Sequence, residues 1–210
     1  MDADEFQETI EESMSVEFER LGSSKLLVAQ TDANLTAEAV LGTVADSERA
    51  AMETFESWAD AEEYMDAQDA FAEFCDQERD HYDRVVALLD GEHEPDADAD
   101  PMHDRLRALE STADRLGGVV GRSLVADRTH LQVVSFFVNE GDERRADTFR
   151  ELRSETAAQG DRAAELLADV CDGSEDWDRA RSAAEGVIDI AYETYAGSLD
   201  DLGLDPKPIC

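Results

Sequence analysis

The chain has 210 residues of which 42% are hydrophobic, enough for one large domain or two small ones with a substantial core, and too apolar for a disordered acidic tail. Against 53 Asp and Glu stand 18 Lys and Arg, a formal charge of −35, so no basic patch exists to displace counterions from a phosphate backbone and no direct nucleic-acid contact is expected. The acids follow every polar face instead of forming one block, the pattern of a surface solvated in concentrated salt, where at ~1 M the Debye length falls to about 3 Å; a basic partner or a cation store is the competing reading.

Apolar spacing predicts helices throughout and no strand, hence an all-α fold. Residues 4–31 form the first, with Phe6, Ile10, Met14, Phe18, Leu21 and Val28 in step and Gly22-Ser23-Ser24 a weak point. After the capping segment TDANLT, a long helix spans about 36–66 with the stripe Leu41, Val44, Glu48, Met52, Phe55 and Trp58. The next runs over 71–89 and ends at Gly91; its stripe is Phe71, Phe74, Cys75, Tyr82, Val85, Val86 and Leu89. GEHEPDADADP is the clearest linker.

A short helix carrying Met102, Leu106, Leu109 and Leu116 then leads to Gly117-Gly118. A long helix to about residue 139 has the stripe Val125, Thr129, Gln132 or Val133, and Phe136. The helix over 142–170 carries Phe149, Leu152, Thr156, Gln159, Ala163, Leu166 and Val170. Gly173-Ser174 opens the last helix, 174–199, which buries Trp177, Ala184, Val187, Ile188, Ala191 and Tyr195, and the tail after it is irregular.

Three polar side chains interrupt the apolar stripes of the first half. Glu78 and His81 lie one turn apart on the face of the 71–89 helix, and Glu48 breaks the stripe before it. A buried charge costs several kcal/mol in order of magnitude unless a partner or a metal compensates it. The second half offers a faint repeat of the first. ADSERAAMETFESWADAE, from Ala45, sets against ADRTHLQVVSFFVNEGDE, from Ala126, and DRVVALLDG against DRAAELLADVCDG. In that register Glu48 matches Thr129, Glu78 matches Thr156 and His81 matches Gln159. Glu155 and His130 fall one residue out of register, which turns a helical side chain by about 100° away from the seam.

Cys75, Cys171 and Cys210 make no CxxC, which argues against a disulfide framework or a zinc ribbon. No apolar run is long enough to span a bilayer and the N-terminus has no signal-like core, so a cytoplasmic protein with no membrane partner is expected. His93 and His103 flank the linker and read as solvated residues, and no nucleophile triad or phosphate-cradling glycine loop is present.

Glu48 followed by Glu78-Arg79-Asp80-His81 resembles the lone Glu and the first Glu-x-x-His of the rubrerythrin branch of the ferritin-like family, and the acidic proline linker sits where that family has its crossover. The resemblance covers roughly 32–172. It implies a ferritin-like four-helix bundle with a long crossover at about 91–101, flanked by an N-terminal helix within 1–31 and a C-terminal helix with tail over 173–210. It further implies a homodimer and a metal centre in iron or oxidative-stress handling. Thr129, Thr156 and Gln159 stand where the family's second ligand set belongs. Hydroxyl and amide oxygens are poor ligands for a transition metal, so an ordinary di-iron peroxidase or ferroxidase is not expected, and whether the chain is an enzyme stays open. Three readings follow: one iron, manganese or zinc ion held by Glu48, Glu78 and His81; a metal-free network in which Thr129, Thr156 and Gln159 bond the acids and His81; or an activity using other ligands, such as His130 or Cys75.

Overall fold

A computed structural model describes residues 1–91, 93–95 and 100–207. Part of the expected crossover, together with Cys210, lies outside the described residues. Among them there are nine helices and no strand: α1 (Ala3–Ser13), α2 (Ser15–Leu21), α3 (Leu26–Gln30), α4 (Ala37–Ala61), α5 (Met65–Val86), α6 (Pro101–Arg107), α7 (Thr112–Glu140), α8 (Glu143–Val170) and α9 (Ser174–Asp201). The expectation of an all-α bundle holds.

The framework is two helical hairpins, α4–α5 and α7–α8, with α9 laid along α7. Each turn has a local cause. Thr36 caps α4 through Ala39 N–H, and the Glu62 carboxylate stops α4 by accepting the amides of Glu63 and Tyr64. Gly141, at φ 74°, ends α7 in the left-handed conformation, and Asp142 caps α8 at once through Arg145 N–H. So short a connection leaves α7 and α8 antiparallel neighbours.

Two predicted elements differ in kind, and the α4–α5 turn falls earlier than expected, α4 ending at Ala61 and not near 66 and α5 starting at Met65 and not at 71. The single helix over 4–31 is broken into α1, α2 and α3, at Met14 and at Gly22 to Lys25, which lets each piece lay its apolar face on the bundle, α1 against α8 and α2 and α3 against α9 and α7. The Gly117-Gly118 pair, expected to separate two helices, lies inside α7, which begins at Thr112 behind a Ser111–Asp114 capping box. The physical reason is close approach. A Cβ at Gly117 would sit 2.1 Å from the Ala180 carbonyl oxygen, and one at Gly121 would sit 2.6 Å from that of Ala184. The glycines therefore let the α7 and α9 backbones touch.

Apolar burial falls in two clusters divided by a polar layer. On α4, Glu48 lies between Ala45 of one cluster and Ala51 of the other; on α5, Glu78 and His81 lie between Cys75 and Val85. His130 lies between Val125 and Val133 on α7, while Thr156 and Gln159 lie between Leu152 and Ala163 on α8. All four helices thus bring their polar residues to one depth.

The glycine contacts predict opposite outcomes for one substitution. Gly121→Ala lowers the unfolding free energy by about 1–3 kcal/mol, because the clash is with backbone. Gly197→Ala, on α9 with nothing within 4 Å of the added carbon, raises it by about 1 kcal/mol. Urea unfolding of both variants measures the contrast.

Candidate functional site

Glu48, Glu78 and His81 meet in the bundle core, all buried, each offering one ligand atom within 4.8 Å of the others. Such a set could hold a metal ion: two carboxylates and an imidazole suit Fe(II), Mn(II) or Zn(II). Another cation already stands between the acids. The buried guanidinium of Arg122, from α7, donates through Nη1 and Nη2 to both oxygens of Glu78 at 3.0 and 3.1 Å. Nη2 also donates to Glu48 Oε2 at 3.2 Å, and Nη1 to Gln159 Oε1 at 3.2 Å. The fork geometry of arginine fits this bidentate arrangement. Its carbon lies 5.6 Å from the centroid of the Phe55 ring, so an aromatic face supports the cation from below. The donor set fits one divalent ion in type, but Arg122 already donates to the carboxylate oxygens of Glu78 and to Glu48 Oε2, and only His81 Nδ1 is without a hydrogen-bond partner.

The remaining partners complete a chain across the bundle. Gln159 Nε2 donates to Glu78 Oε1 at 2.7 Å and to Gln77 Oε1 at 2.8 Å. On one side His130 Nε2 lies 3.1 Å from Glu48 Oε1. On the other, His81 Nε2 lies 2.9 Å from the Glu155 carboxylate, which also accepts from Arg84 Nη1 at 2.8 Å. His81 Nδ1 stands 3.6 Å from Glu78 Oε2, an ion-pair distance too long for a hydrogen bond.

Electrostatics divide the two acids. Burial pushes the Glu48 carboxyl well above 4.5, with the neighbouring charge of Glu78 acting the same way and Arg122 only partly opposing it. Burial acts most strongly on Glu78 too, but the charge of Arg122 together with the contacts of Glu48 and His81 overcomes it, and Glu78 is held well below 4.5. Burial tends to lower His81, yet its contact with Glu78, then the charges of Glu78 and Glu48, keep it above 6.5. His130 is pushed down to about 3 by burial and by the positive charges of Arg122 and His81, so it is neutral at ordinary pH.

Of the second-half positions, only Gln159 joins the network. Thr156 is buried, but its hydroxyl has no hydrogen-bond partner, and Thr129 is half-buried and returns its hydroxyl to Val125 O at 3.4 Å. His130 and Glu155, expected to point away from the seam, both reach it. For His130 the cause is the phase of α7. Beyond Val125, which is buried as expected, its buried positions are His130, Val133, Val134 and Phe137; Val133 is one of the two expected alternatives, whereas His130 and Phe137 lie one step on from the expected Thr129 and Phe136. Because α7 packs against both α8 and α9, apolar residues surround much of it and no single stripe fixes its rotation. Glu155 stays on the rim, its side chain 38% exposed, and arrives by reach alone.

Arg122 was missed although a signal was present. It is the single charge in LGGVVGRSLVA, and the rule that singled out Glu48 applies to it equally. His103 is also buried, its Nδ1 2.7 Å from the N-capping carboxylate of Asp100, while His93 Nε2 lies 2.9 Å from Asp46; neither is a free loop residue.

Fold and site together define a class: an all-α bundle with a buried, ion-paired polar layer that could hold a metal ion. No protein-family model, no curated protein and no solved structure matches the chain. No helix among the described residues is long and apolar enough to cross a membrane.

The pKa directions set a pH profile. Glu78, held below 4.5, contributes stability that is present above that value and lost as pH falls through its folded pKa. His81, held above 6.5, contributes stability that is complete below that value and lost as pH rises through its folded pKa; Glu48, raised above 4.5, acts in the same sense as His81. Urea unfolding at constant KCl therefore gives a lower free energy at about pH 9 than at about pH 6. In His81→Gln that decline is shallower.

Proposed function

We propose that this chain is a rubrerythrin-related, ferritin-like protein in which Arg122 takes the place of the metal, and that it works as a metal-free structural, interaction or regulatory bundle. One observation carries the reading: a single guanidinium is hydrogen-bonded to both acids of the would-be ligand set, Glu48 and Glu78. An arginine is charged at every accessible pH, so it keeps one compensating charge between the acids permanently and needs no loading. Loss of the second-half ligands supports the same reading, since Gln159 serves Glu78 and Arg122 as a hydrogen-bond partner.

A second reading keeps one divalent ion on Glu48, Glu78 and His81, in iron or oxidative-stress handling, and is favoured by their spacing within 4.8 Å. A bound ion of this kind would supply Lewis-acid or redox chemistry, and Arg122 would have to withdraw to admit it. Metal analysis of protein purified in molar KCl without chelator separates the two. The first reading expects no stoichiometric metal in the wild type. It also expects Arg122→Ala to be less stable by about 3–5 kcal/mol, since two buried acids lose their partner. Added Mn(II) or Zn(II) recovers part of that loss in the variant and leaves the wild type unmoved. About one ion per wild-type chain, lost in Glu78→Ala, establishes the second reading instead.

The homodimer expected from the resemblance belongs to the same proposal. Leu131 and Val138 of α7 are exposed and two turns apart, on either side of Ser135, two apolar side chains that a second copy would cover. Light scattering in molar KCl should give twice the chain mass, and a monomer contradicts it.

A further inference from the structure

A cleft of about 680 Å³ opens between α3, α4, α6, α7 and α9 and reaches the polar layer. Its volume lies in the range of small-molecule sites. Exposed Asp32, Glu53 and Asp104 mark its mouth, Leu26, Val125 and Met102 give it apolar walls, and the buried Glu48, Arg122 and His130 form its floor. The cleft therefore joins solvent to a cluster of ionisable groups that the bundle otherwise seals.

Charge counting says what the floor lacks. At the rim Arg49 pairs with Glu53 and Arg107 with Asp104, so those charges cancel. In the core, Glu48 and Glu78 share the one guanidinium of Arg122, and the other cationic side chain, His81, stands on the Glu78 side, its Nδ1 3.6 Å from Glu78 Oε2. Glu78 takes both Nη groups of Arg122 and Glu48 only one, so the shortfall of positive charge lies at Glu48, the acid that lines the cleft. His130, beside it, uses Nε2 on Glu48 and has no partner for its buried Nδ1. With Nε2–H donating to the carboxylate, Nδ1 keeps a lone pair that calls for a donor. At low ionic strength the field of a chain with formal charge −35 repels anions and concentrates cations at such an opening.

We propose that this cleft is a binding site for a small organic ammonium with an aliphatic body, its charged head seated at Glu48 and His130 and its hydrocarbon along Leu26, Val125 and Met102. The proposal rests on Arg122, and not a metal ion, being the resident cation of the core. One feature points to a competitor: the Arg122 Nε–H is also without a partner, and it is a donor, which a hydroxyl head could serve and an ammonium could not.

Three probes of equal chain length decide: hexylamine, 1-hexanol and hexanoate, titrated by calorimetry into the full chain at fixed ionic strength and pH, after metal analysis of the same preparation. Hexylammonium should bind one per chain and raise the unfolding temperature, with the alcohol and the carboxylate at least ten-fold weaker. Thr129→Phe, which fills the cleft wall without touching the ion pairs, should abolish binding. Glu48→Gln should remove the preference for amine over alcohol, and it carries the test if Thr129→Phe does not fold. Alcohol binding as tightly as amine, or amine binding that survives Thr129→Phe in a folded protein, overturns the proposal. A stoichiometric metal ion overturns both this proposal and the reading beneath it, whereas metal-free protein indifferent to hexylamine overturns only the ammonium site.

Discussion

One guanidinium between two buried carboxylates sets the terms for this molecule. Glu48 and Glu78 come from the two helices of one hairpin, and Arg122 reaches them from the other. Two like charges at that separation in a dry core would force the hairpins apart or hold protons against their tendency to ionise. A fixed cation removes most of the conflict. It also ties the two hairpins together by a contact with demanding geometry, since the planar fork of arginine satisfies both oxygens of Glu78 only in one orientation.

The fold is arranged to make that contact possible. Arginine is long, and burying it on a central helix requires neighbours that leave room. Gly117 and Gly121 let α7 settle against α9, while Gly160 lets α8 approach Ser123. Above and below, two separate apolar clusters close over the layer, which lowers the local dielectric and strengthens every ion pair within it. Buried pairs of this kind often add little net stability against an apolar alternative. Their effect here is on registry: helices slipped by one turn would leave charges facing hydrocarbon.

The asymmetry of the pair is what gives the site chemical interest. Glu78 is fully served by Arg122 and Gln159, whereas Glu48 is served less and stands at the floor of an open cleft. The opposite end of the chain, where Glu155 meets His81 and Arg84 at the surface, makes the polar layer continuous from one face of the molecule to the other.

Helical periodicity determined much of this from sequence alone. The all-α architecture, the presence of α4, α5 and α8, and the burial of Glu48, Glu78, His81, Thr156 and Gln159 were all legible, because a helix repeats every 3.6 residues and a polar side chain on an apolar stripe declares its own depth; the turn between α4 and α5 was not, since it carries no Gly or Pro. What faces that side chain is a different matter. Arg122 and His130 enter the layer through the rotation of α7, and that rotation is fixed by glycine contacts with α9, a helix distant in sequence. A helix buried on several sides carries no single stripe from which its phase could be read. Local pattern thus gave the acids and their depth; only the packing of the second half decided that their counter-ion is an arginine and that a cleft opens beside them.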